Sequence, residues 1–315
     1  MSINRIREIA IIGTGLIGTS LSVLTTTHGI KTKLFAVDDQ QKEMSEKKYD
    51  DFISELVNNQ LMNKKQAEKA KSLLTYTCEY KDLKDCDLAF EAVVEILDIK
   101  HRVYNNLEEN CPNIKAICSV SSAIEVDDLA SNSDKYKDRI IVTHPFYPPH
   151  MVPYFEISTG SKTDENVITT VVELLEYLDR KPVILKKSAP GFIGNRLQFA
   201  LWREALNIVN EGIANPEDID TCLRYSFCPR YTSIGMFEHF DNGGLDLNIR
   251  VSESIFKDLS NMTNPPDLLK EKVENNKLGV KTKEGFYKWD DESIEDLQKR
   301  VSEPFFGFFK TNLGK

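Results

Sequence analysis

Short apolar runs alternate with longer polar, helix-forming stretches over roughly the first 188 residues. The runs include Ile9-Ala10-Ile11-Ile12, Lys33-Leu34-Phe35-Ala36-Val37-Asp38, Asp87-Leu88-Ala89-Phe90, Ala116-Ile117-Cys118, Ile140-Ile141-Val142 and Val183-Ile184-Leu185. Each reads as a buried strand, and strands that alternate with helices imply a parallel sheet covered on both faces. A first helix is predicted from Thr19 to about Thr27. Residues 40–72, rich in Lys, Glu, Gln and Ala, predict a pair of amphipathic helices with a solvated charged face. The character changes at Ser188-Ala189-Pro190-Gly191, a punctuating cluster that marks a domain boundary. Residues 192–213 then form one long helical pattern through Phe192, Leu197, Leu201, Leu206 and Val209. Asn215-Pro216-Glu217-Asp218 starts another helix, with Pro216 suited to a first turn. Further helices are expected near 245–259 and 266–275, and no strand before Gly285-Phe286-Tyr287. The expected architecture is α/β: a doubly wound sheet domain over 1–189 and a smaller all-helical domain over 190–315. So small a helical domain with so many apolar positions predicts a second copy packed against it, a homodimer.

Composition changes this picture little. The chain has 315 residues, 41% hydrophobic and 28% charged, which suits a soluble protein of two domains. A net charge of −9 argues against nucleic-acid binding, which wants a basic face, and leaves small anions open. No window approaches the ~18 apolar residues of a membrane span. Arg5, Arg7 and Glu8 interrupt any apolar signal-peptide core. The six cysteines, at 78, 86, 111, 118, 222 and 228, form no C-x-x-C pair. Free thiols in a reducing cytoplasm are expected, with neither a disulfide framework nor a metal site.

The candidate chemistry begins after the first strand. Gly13-Thr14-Gly15-Leu16-Ile17-Gly18 is a G-x-G-x-x-G turn that follows an apolar run and opens a helix. In that context the pattern is the dinucleotide-binding fingerprint of a Rossmann-type domain. Gly13 permits the turn, Gly15 lets backbone approach a pyrophosphate, and Gly18 lets the helix pack on the strand. Leu16 and Ile17 lie at the helix start, whose partial positive charge faces the phosphates. Asp38 lies 20 residues after Gly18, at the end of the second strand, where a carboxylate can hold ribose hydroxyls. It accepts bonds from a free 2′-hydroxyl and repels a 2′-phosphate. No Arg is adjacent, so NAD is expected rather than NADP. The alternative is that Asp38 merely caps the next turn.

An alcohol dehydrogenation needs a base for the hydroxyl proton, and histidine suits this near neutrality. Of five histidines, His28 sits in a helix-to-strand turn, His101 in mid-helix, His150 after a proline pair and His239 in the helical region. His144 alone stands at the carboxyl end of a predicted strand, where open α/β sheets place their ligands. Glu156 lies on the next apolar segment, Tyr154-Phe155-Glu156-Ile157. An acid there is costly to bury unless paired. A His144–Glu156 pair would remove that cost and fix the imidazole tautomer. An incidental surface hairpin is the equal alternative on spacing alone.

Nearly end to end, the chain resembles the 3-hydroxyacyl-CoA dehydrogenase family, in the branch with L-gulonate 3-dehydrogenase, lambda-crystallin and carnitine 3-dehydrogenase. The motifs are the glycine turn, Glu91-Ala92-Val93-Val94-Glu95 with Lys100, Ser119-Val120-Ser121-Ser122, His144-Pro145-Phe146-Tyr147-Pro148-Pro149 with Glu156, Pro190-Gly191-Phe192-Ile193-Gly194-Asn195-Arg196, and Leu278 through Tyr287. The resemblance implies an NAD-dependent oxidoreductase with His144 as general base and Glu156 as its orienting partner. It implies Glu95, Lys100 and Ser122 beside the cofactor, and Ser122 and Asn195 on the substrate's oxygens. Ser122 also reads as a helix N-cap, because Ser122 to Glu125 is a capping-box pattern. The family usually has Asn where Tyr147 stands, and another Asn where Val120 stands. Those departures bear on activity and substrate, not on fold.

Two substrates compete: a free small 3-hydroxy acid of the gulonate or carnitine kind, and an L-3-hydroxyacyl-CoA of fatty acid metabolism. The Pro148-Pro149 pair, Asn195-Arg196-Leu197-Gln198 and Leu201-Trp202-Arg203-Glu204-Ala205-Leu206 resemble the first group more. A free acid needs a cation, and Arg224 and Arg230 are candidates. A third reading is a catalytically weak NAD-binding structural or sensory protein.

Overall fold

The computed structural model describes residues 6–313. Arg5, used above against a signal peptide, lies outside the described residues. The chain forms two compact units. One runs to Phe192 and includes the segment from Val301, and the other is Ile193–Arg300.

The first unit is built on one eight-stranded sheet. Its strands are β1 (Glu8–Ile12), β2 (Lys31–Phe35), β3 (Leu74–Thr77), β4 (Leu88–Glu91), β5 (Ile117–Ser119), β6 (Ile140–Pro145), β7 (Tyr154–Ser158) and β8 (Lys181–Ile184). Their spatial order is β3-β2-β1-β4-β5-β6-β7-β8. Strands β1 to β6 pair in parallel, β7 runs antiparallel to β6, and β8 follows β7. The parallel sheet expected from the alternation is thus present, with β7 and β8 reversed on one side. The physical reason is the short connection between β6 and β7, which lets the chain turn back beside itself and leaves no room for a crossover helix.

Helices α1 (Leu16–Thr27), α2 (Asp39–Asn58), α3 (Lys64–Lys71), α4 (Leu97–Asn110), α5 (Val126–Ala130) and α6 (Glu165–Tyr177) cover the sheet. Helix α1 is poor in strong helix formers and rich in buried hydroxyls. Several are satisfied within the helix: Thr25, Thr26 and Thr27 donate to the carbonyls of Leu21, Ser22 and Val23 at 3.0, 2.7 and 2.8 Å, while Thr19 and Ser20 find partners outside it. Such bonding lets the helix bury from Gly18 to Thr27 without orphaned polar groups. Apolar cores lie on both faces of the sheet. One gathers Ile12, Val103, Tyr104, Ile117 and Val142, and the other Ile11, Leu24, Phe90, Ile141 and Leu174.

The C-terminal segment returns to this unit. Phe309 and Leu313 are buried with Val23, Tyr49, Ile53 and Met151. Thr311 donates its hydroxyl to the Thr27 carbonyl at 2.6 Å. The domain expected over 190–315 therefore gives up its last segment, because Phe309 and Leu313 find their apolar partners on α1 and α2. Phe192 also changes place. It has φ of 47°, precedes the long helix and is buried in the first unit's core.

The second unit contains α7 (Gly194–Asn210), α8 (Pro216–Tyr225), α9 (Met236–Gly243), α10 (Leu245–Ile255), α11 (Asp267–Glu274) and the start of α12 (Asp291–Ser302). Pro216 opens α8, and the Asp218 carboxylate accepts the Asn215 backbone N–H at 3.1 Å. Near residue 285 the chain makes only isolated bridges, Gly279 with Glu284 and Glu284 with Lys288. The sequence pattern did not single out α9 and α12, which are short or strongly charged.

Candidate active site

The glycine turn joins β1 to α1. A Cβ on Gly18 would stand 1.9 Å from the Gly13 carbonyl oxygen, so only glycine lets α1 start this close to the turn. Gly15 is the N-cap of α1 and has open space where a Cβ would be. No side chain caps this helix, and its first turn carries no acid. Its free N–H groups and partial positive charge therefore remain available to an anion. Residues of this kind fit the pyrophosphate of a dinucleotide.

The chain passes from β1 to β2 and β3 on one side, then to β4 and beyond on the other. The crevice at this switch point, beside the carboxyl ends of β1 and β4, is where such sheets take ligands. A cavity of about 220 Å³ lies here, lined by Phe35, Val37, Gln41, Tyr80, Val93 and Arg102, among others. Its flat apolar lining and one guanidinium suit a purine ring. Tyr80 and Arg102 went unnoticed in the sequence, because neither belongs to the glycine motif and only the packing of α4 brings Arg102 there. Asp38 is exposed at the end of β2 and caps α2, its Oδ1 accepting the Gln41 N–H at 2.7 Å. The capping alternative is therefore real, and a second carboxylate oxygen remains for a ribose.

Glu91, at the end of β4, is fully buried and fully bonded. It accepts from Lys100 Nζ at 2.8 and 3.0 Å, Tyr104 Oη at 2.8 Å, Ser119 Oγ at 2.7 Å and the Val93 N–H at 3.0 Å. Lys100 also reaches Glu95 at 3.1 Å, and its side chain has no exposed surface. Lys100, which the resemblance puts beside the cofactor, is thus paired with Glu91 and Glu95. Two carboxylates draw its ammonium inward, where it anchors Glu95. Glu95 in turn accepts the Ser121 hydroxyl and the N–H groups of Ser122 and Ala123, the last two at 3.0 and 3.2 Å. Burial alone would raise the Glu95 pKa. The Ser121 bond, the Lys100 charge and the Ser122 N–H outweigh it and hold the carboxyl below its ordinary range.

Ser122 is not the N-cap that its spacing suggested. Helix α5 starts at Val126, and Ser121 makes the turn bonds, accepting the Ile124 N–H at 2.9 Å. The Ser122 side chain is exposed, at the carboxyl end of β5.

His144 and Glu156 face each other directly in the antiparallel β6–β7 register. His144 Nδ1 lies 3.0 Å from Glu156 Oε2. Glu156 is fully buried, and Tyr154 Oη donates to its other oxygen at 3.2 Å. Burial, with Glu156 beside it, pushes the Tyr154 hydroxyl up to about 12, so it stays a donor. The carboxylate can only accept, so Nδ1 carries the proton and Nε2 has the free lone pair. The Phe192 ring lies 5.3 Å from the imidazole. Tyr154 and Phe192 are site residues that sequence reasoning missed.

The glycine turn, Glu95 and Ser122 follow parallel strands and His144 lies near the end of β6, so all stand at the carboxyl ends of the parallel strands. Three strand spacings separate β1 from β6, roughly 14 Å. Of the other expected site residues, Asn195 is half-buried in the first turn of α7. Arg224 and Arg230 are exposed. Arg224 lines a cleft with the acids Glu217 and Asp220, and Arg230 Nη1 lies 3.4 Å from His239 Nε2.

This is the site of an NAD-dependent dehydrogenase on a Rossmann-type sheet. Residues 8–188 match the family model described as 3-hydroxyacyl-CoA dehydrogenase, NAD binding domain, and 191–289 match its C-terminal domain. The chain belongs to the 3-hydroxyacyl-CoA dehydrogenase family. It is 30% identical over 294 residues to 5-formyl-3-hydroxy-2-methylpyridine 4-carboxylate 5-dehydrogenase of Mesorhizobium japonicum, covering 93% of this chain and 94% of that one. A solved structure of an NAD+-dependent enzyme so described superposes with a TM-score of 0.85 at 27% identity, over 96% of this chain and 97% of the other. L-carnitine dehydrogenase of Oceanobacillus iheyensis is 29% identical, over 94% of this chain and 95% of its own. 3-Hydroxybutyryl-CoA dehydrogenase of Clostridioides difficile is 29% identical, over 89% and 98%. Among the described residues no helix is long and apolar enough to cross a membrane, and no group of three or more His, Cys, Asp or Glu could hold a metal ion.

Proposed function

We propose that this dehydrogenase oxidises the hydroxyl of a small free hydroxy acid of the gulonate or carnitine kind. The observation that carries the chemistry is the buried Glu156 carboxylate bonded to His144 Nδ1 at the sheet edge that also holds the glycine turn. His144 Nε2 takes the substrate's hydroxyl proton. Glu156 holds the ring and stabilises the imidazolium that forms. NAD, when bound, supplies the hydride acceptor. The free N–H groups at the start of α1, with Gly13, Gly15, Leu16, Ile17 and Gly18, hold its pyrophosphate, Asp38 its ribose, and the Phe35–Tyr80–Arg102 cavity its adenine. Ser122 is the candidate in the first unit for the substrate's oxygens, and Asn195 the candidate in the second unit.

The free acid is supported by relatives that match over nearly their whole length and whose names carry no CoA. Neither Arg224 nor Arg230 is favoured by its surroundings as the carboxylate's partner. A 3-hydroxybutyryl-CoA relative of similar identity supports the thioester as the second reading.

A homodimer is part of the same reading. Among the described residues, Leu206 is the only apolar residue of the second unit that is buried. Phe199, Phe237, Leu245, Ile249 and Phe256 are all at least 60% exposed. A surface of that apolar content favours a partner of like kind.

NADH formation with L-gulonate, L-carnitine, 3-hydroxybutyrate and 3-hydroxybutyryl-CoA tests the substrate, run with NAD and with NADP. One or more free acids should exceed the thioester in kcat/KM, and NAD should exceed NADP. Turnover of the thioester alone would reverse the assignment.

A further inference from the structure

The connection from β6 to β7, residues 146–153, leaves His144 and returns to Glu156. It carries Phe146, whose ring lies 5.9 Å from the His144 imidazole. Three neighbours grip this connection.

Ser20, two residues past Gly18 on α1, is the first. Its oxygen accepts the His150 backbone N–H at 3.2 Å and lies 2.7 Å from His150 Nδ1. That contact is a hydrogen bond in either tautomer of a neutral ring, because a hydroxyl with one proton and two lone pairs can donate to Nδ1 or accept from it. Burial and the Arg180 charge keep that ring neutral, down to about 3.

Arg180 is the second. It is 1% exposed. Its Nε donates to the Leu178 carbonyl at 2.8 Å, and its Nη1 to the carbonyls of Pro149 and Val152 at 3.1 and 3.4 Å. The third is α2, whose Phe52 ring lies 4.8 Å from the His150 ring and whose Ile53 shares an apolar cluster with Met151.

Apolar packing alone would bury this connection without desolvating a guanidinium and an imidazole. What the polar groups add is direction, since hydrogen bonds fix register where apolar contacts slide. We propose that His150 is a positioning residue for the reaction: its two bonds to Ser20 fix the connection between the His144 and Glu156 strands onto the helix that opens at the glycine turn. The base and the cofactor helix thereby keep one relative placement. This inference rests on the reading of His144 as the base.

Two His150 variants separate position from packing. His150→Phe keeps a ring in the pocket and the backbone bond, but offers the Ser20 hydroxyl no side-chain partner. His150→Asn places an amide, which can accept from Ser20 or donate to it, near the position of Nδ1. For His150→Phe, kcat for the fastest acid of the panel should fall about 10- to 100-fold, the cost of a small misplacement of reacting groups. Its NAD dissociation constant, from fluorescence titration, should stay within about twofold, and the NMR titration of the His144 ring should move. His150→Asn should recover most of the lost kcat. Ser20→Ala loses both bonds and should cost at least as much as His150→Phe, and the double variant should be no worse than Ser20→Ala, as for partners in one bond. Unfolding midpoints show which variants are folded at the assay temperature.

Equal losses in the Phe and Asn variants would overturn the proposal. So would additive losses, or a His144 titration unmoved in His150→Phe. The NMR readout needs no turnover. A reading of His144 that fails in the His144→Ala assay is therefore distinguishable from a failure here.

Discussion

At the scale of residues, removing His144 and Glu156 in turn tests the proposal that His144 is the base and Glu156 its orienting partner. His144→Ala should lower kcat about 10²- to 10⁴-fold, as loss of a general base does. NAD affinity should change little, since the glycine turn is untouched. Glu156→Gln should give a smaller loss, because an amide cannot stabilise the imidazolium. Steady-state kinetics and cofactor titration check both. A silent Glu156→Gln would break the pairing.

Two other histidines govern acid stability. Burial lowers His28 to about 4, though its bond to the Leu24 carbonyl resists this, and His150 to about 3. Unfolded, each titrates near its ordinary 6.5. Below that pH the unfolded chain binds protons that the folded chain refuses. Stability is therefore fully present above about pH 6.5 and falls as pH drops toward 4, by about 1.4 kcal/mol per pH unit for each histidine. His28→Gln keeps an N–H for Leu24 and cannot charge. It should flatten the slope of urea-unfolding free energy between pH 6.5 and 4.5. An unchanged slope would show that His28 is not neutral in the folded state. Glu95, held below its usual range, loses its contribution in a lower pH window and in the same direction.

At the scale of elements, the turn between β1 and α1 separates folding from binding. Gly15→Ala places its methyl in open space. Stability should hold, while NAD affinity falls about tenfold or more, because the methyl occupies the room of the pyrophosphate. Gly18→Ala drives a methyl into the Gly13 carbonyl. It should lower both the thermal midpoint and NAD affinity. Differential scanning fluorimetry with and without NAD separates the two. The antiparallel β6–β7 pair matters in another way: it sets His144 opposite Glu156 in one register, and a one-residue slip would put them on opposite faces.

At the scale of the whole molecule, the second unit should associate. Analytical ultracentrifugation at micromolar concentration should give twice the 35.9 kDa chain mass. Replacing Phe237 and Ile249 by Glu should shift the protein toward monomer, because charges at an apolar interface are left unpaired. A monomer for the native chain would overturn the dimer. The C-terminal segment belongs to the other unit, where Phe309 and Leu313 lie beside Met151 of the connection that follows His144.

Much of this was legible in the sequence because it is local. The glycine turn, strand periodicity and the proline-capped start of α8 are encoded within a few residues, and the chemistry of backbone and caps reads them directly. His144 and Glu156 were also visible, since an acid in an apolar strand demands a partner and only a short connection separates the two. Contacts between distant segments were not legible. The pairing of Lys100 with both Glu91 and Glu95 exists only once the two carboxylates are folded around it. Ser122 looks like a cap until Ser121 makes the turn. Arg102 and Phe192 reach the site through the packing of whole elements. The last segment of the chain could be assigned only once α1 and α2 offered it an apolar surface. The sequence by itself determined which groups must be buried or bonded. The tertiary structure decided which partner each one met, because burial is a property of the assembled core and not of any stretch within it.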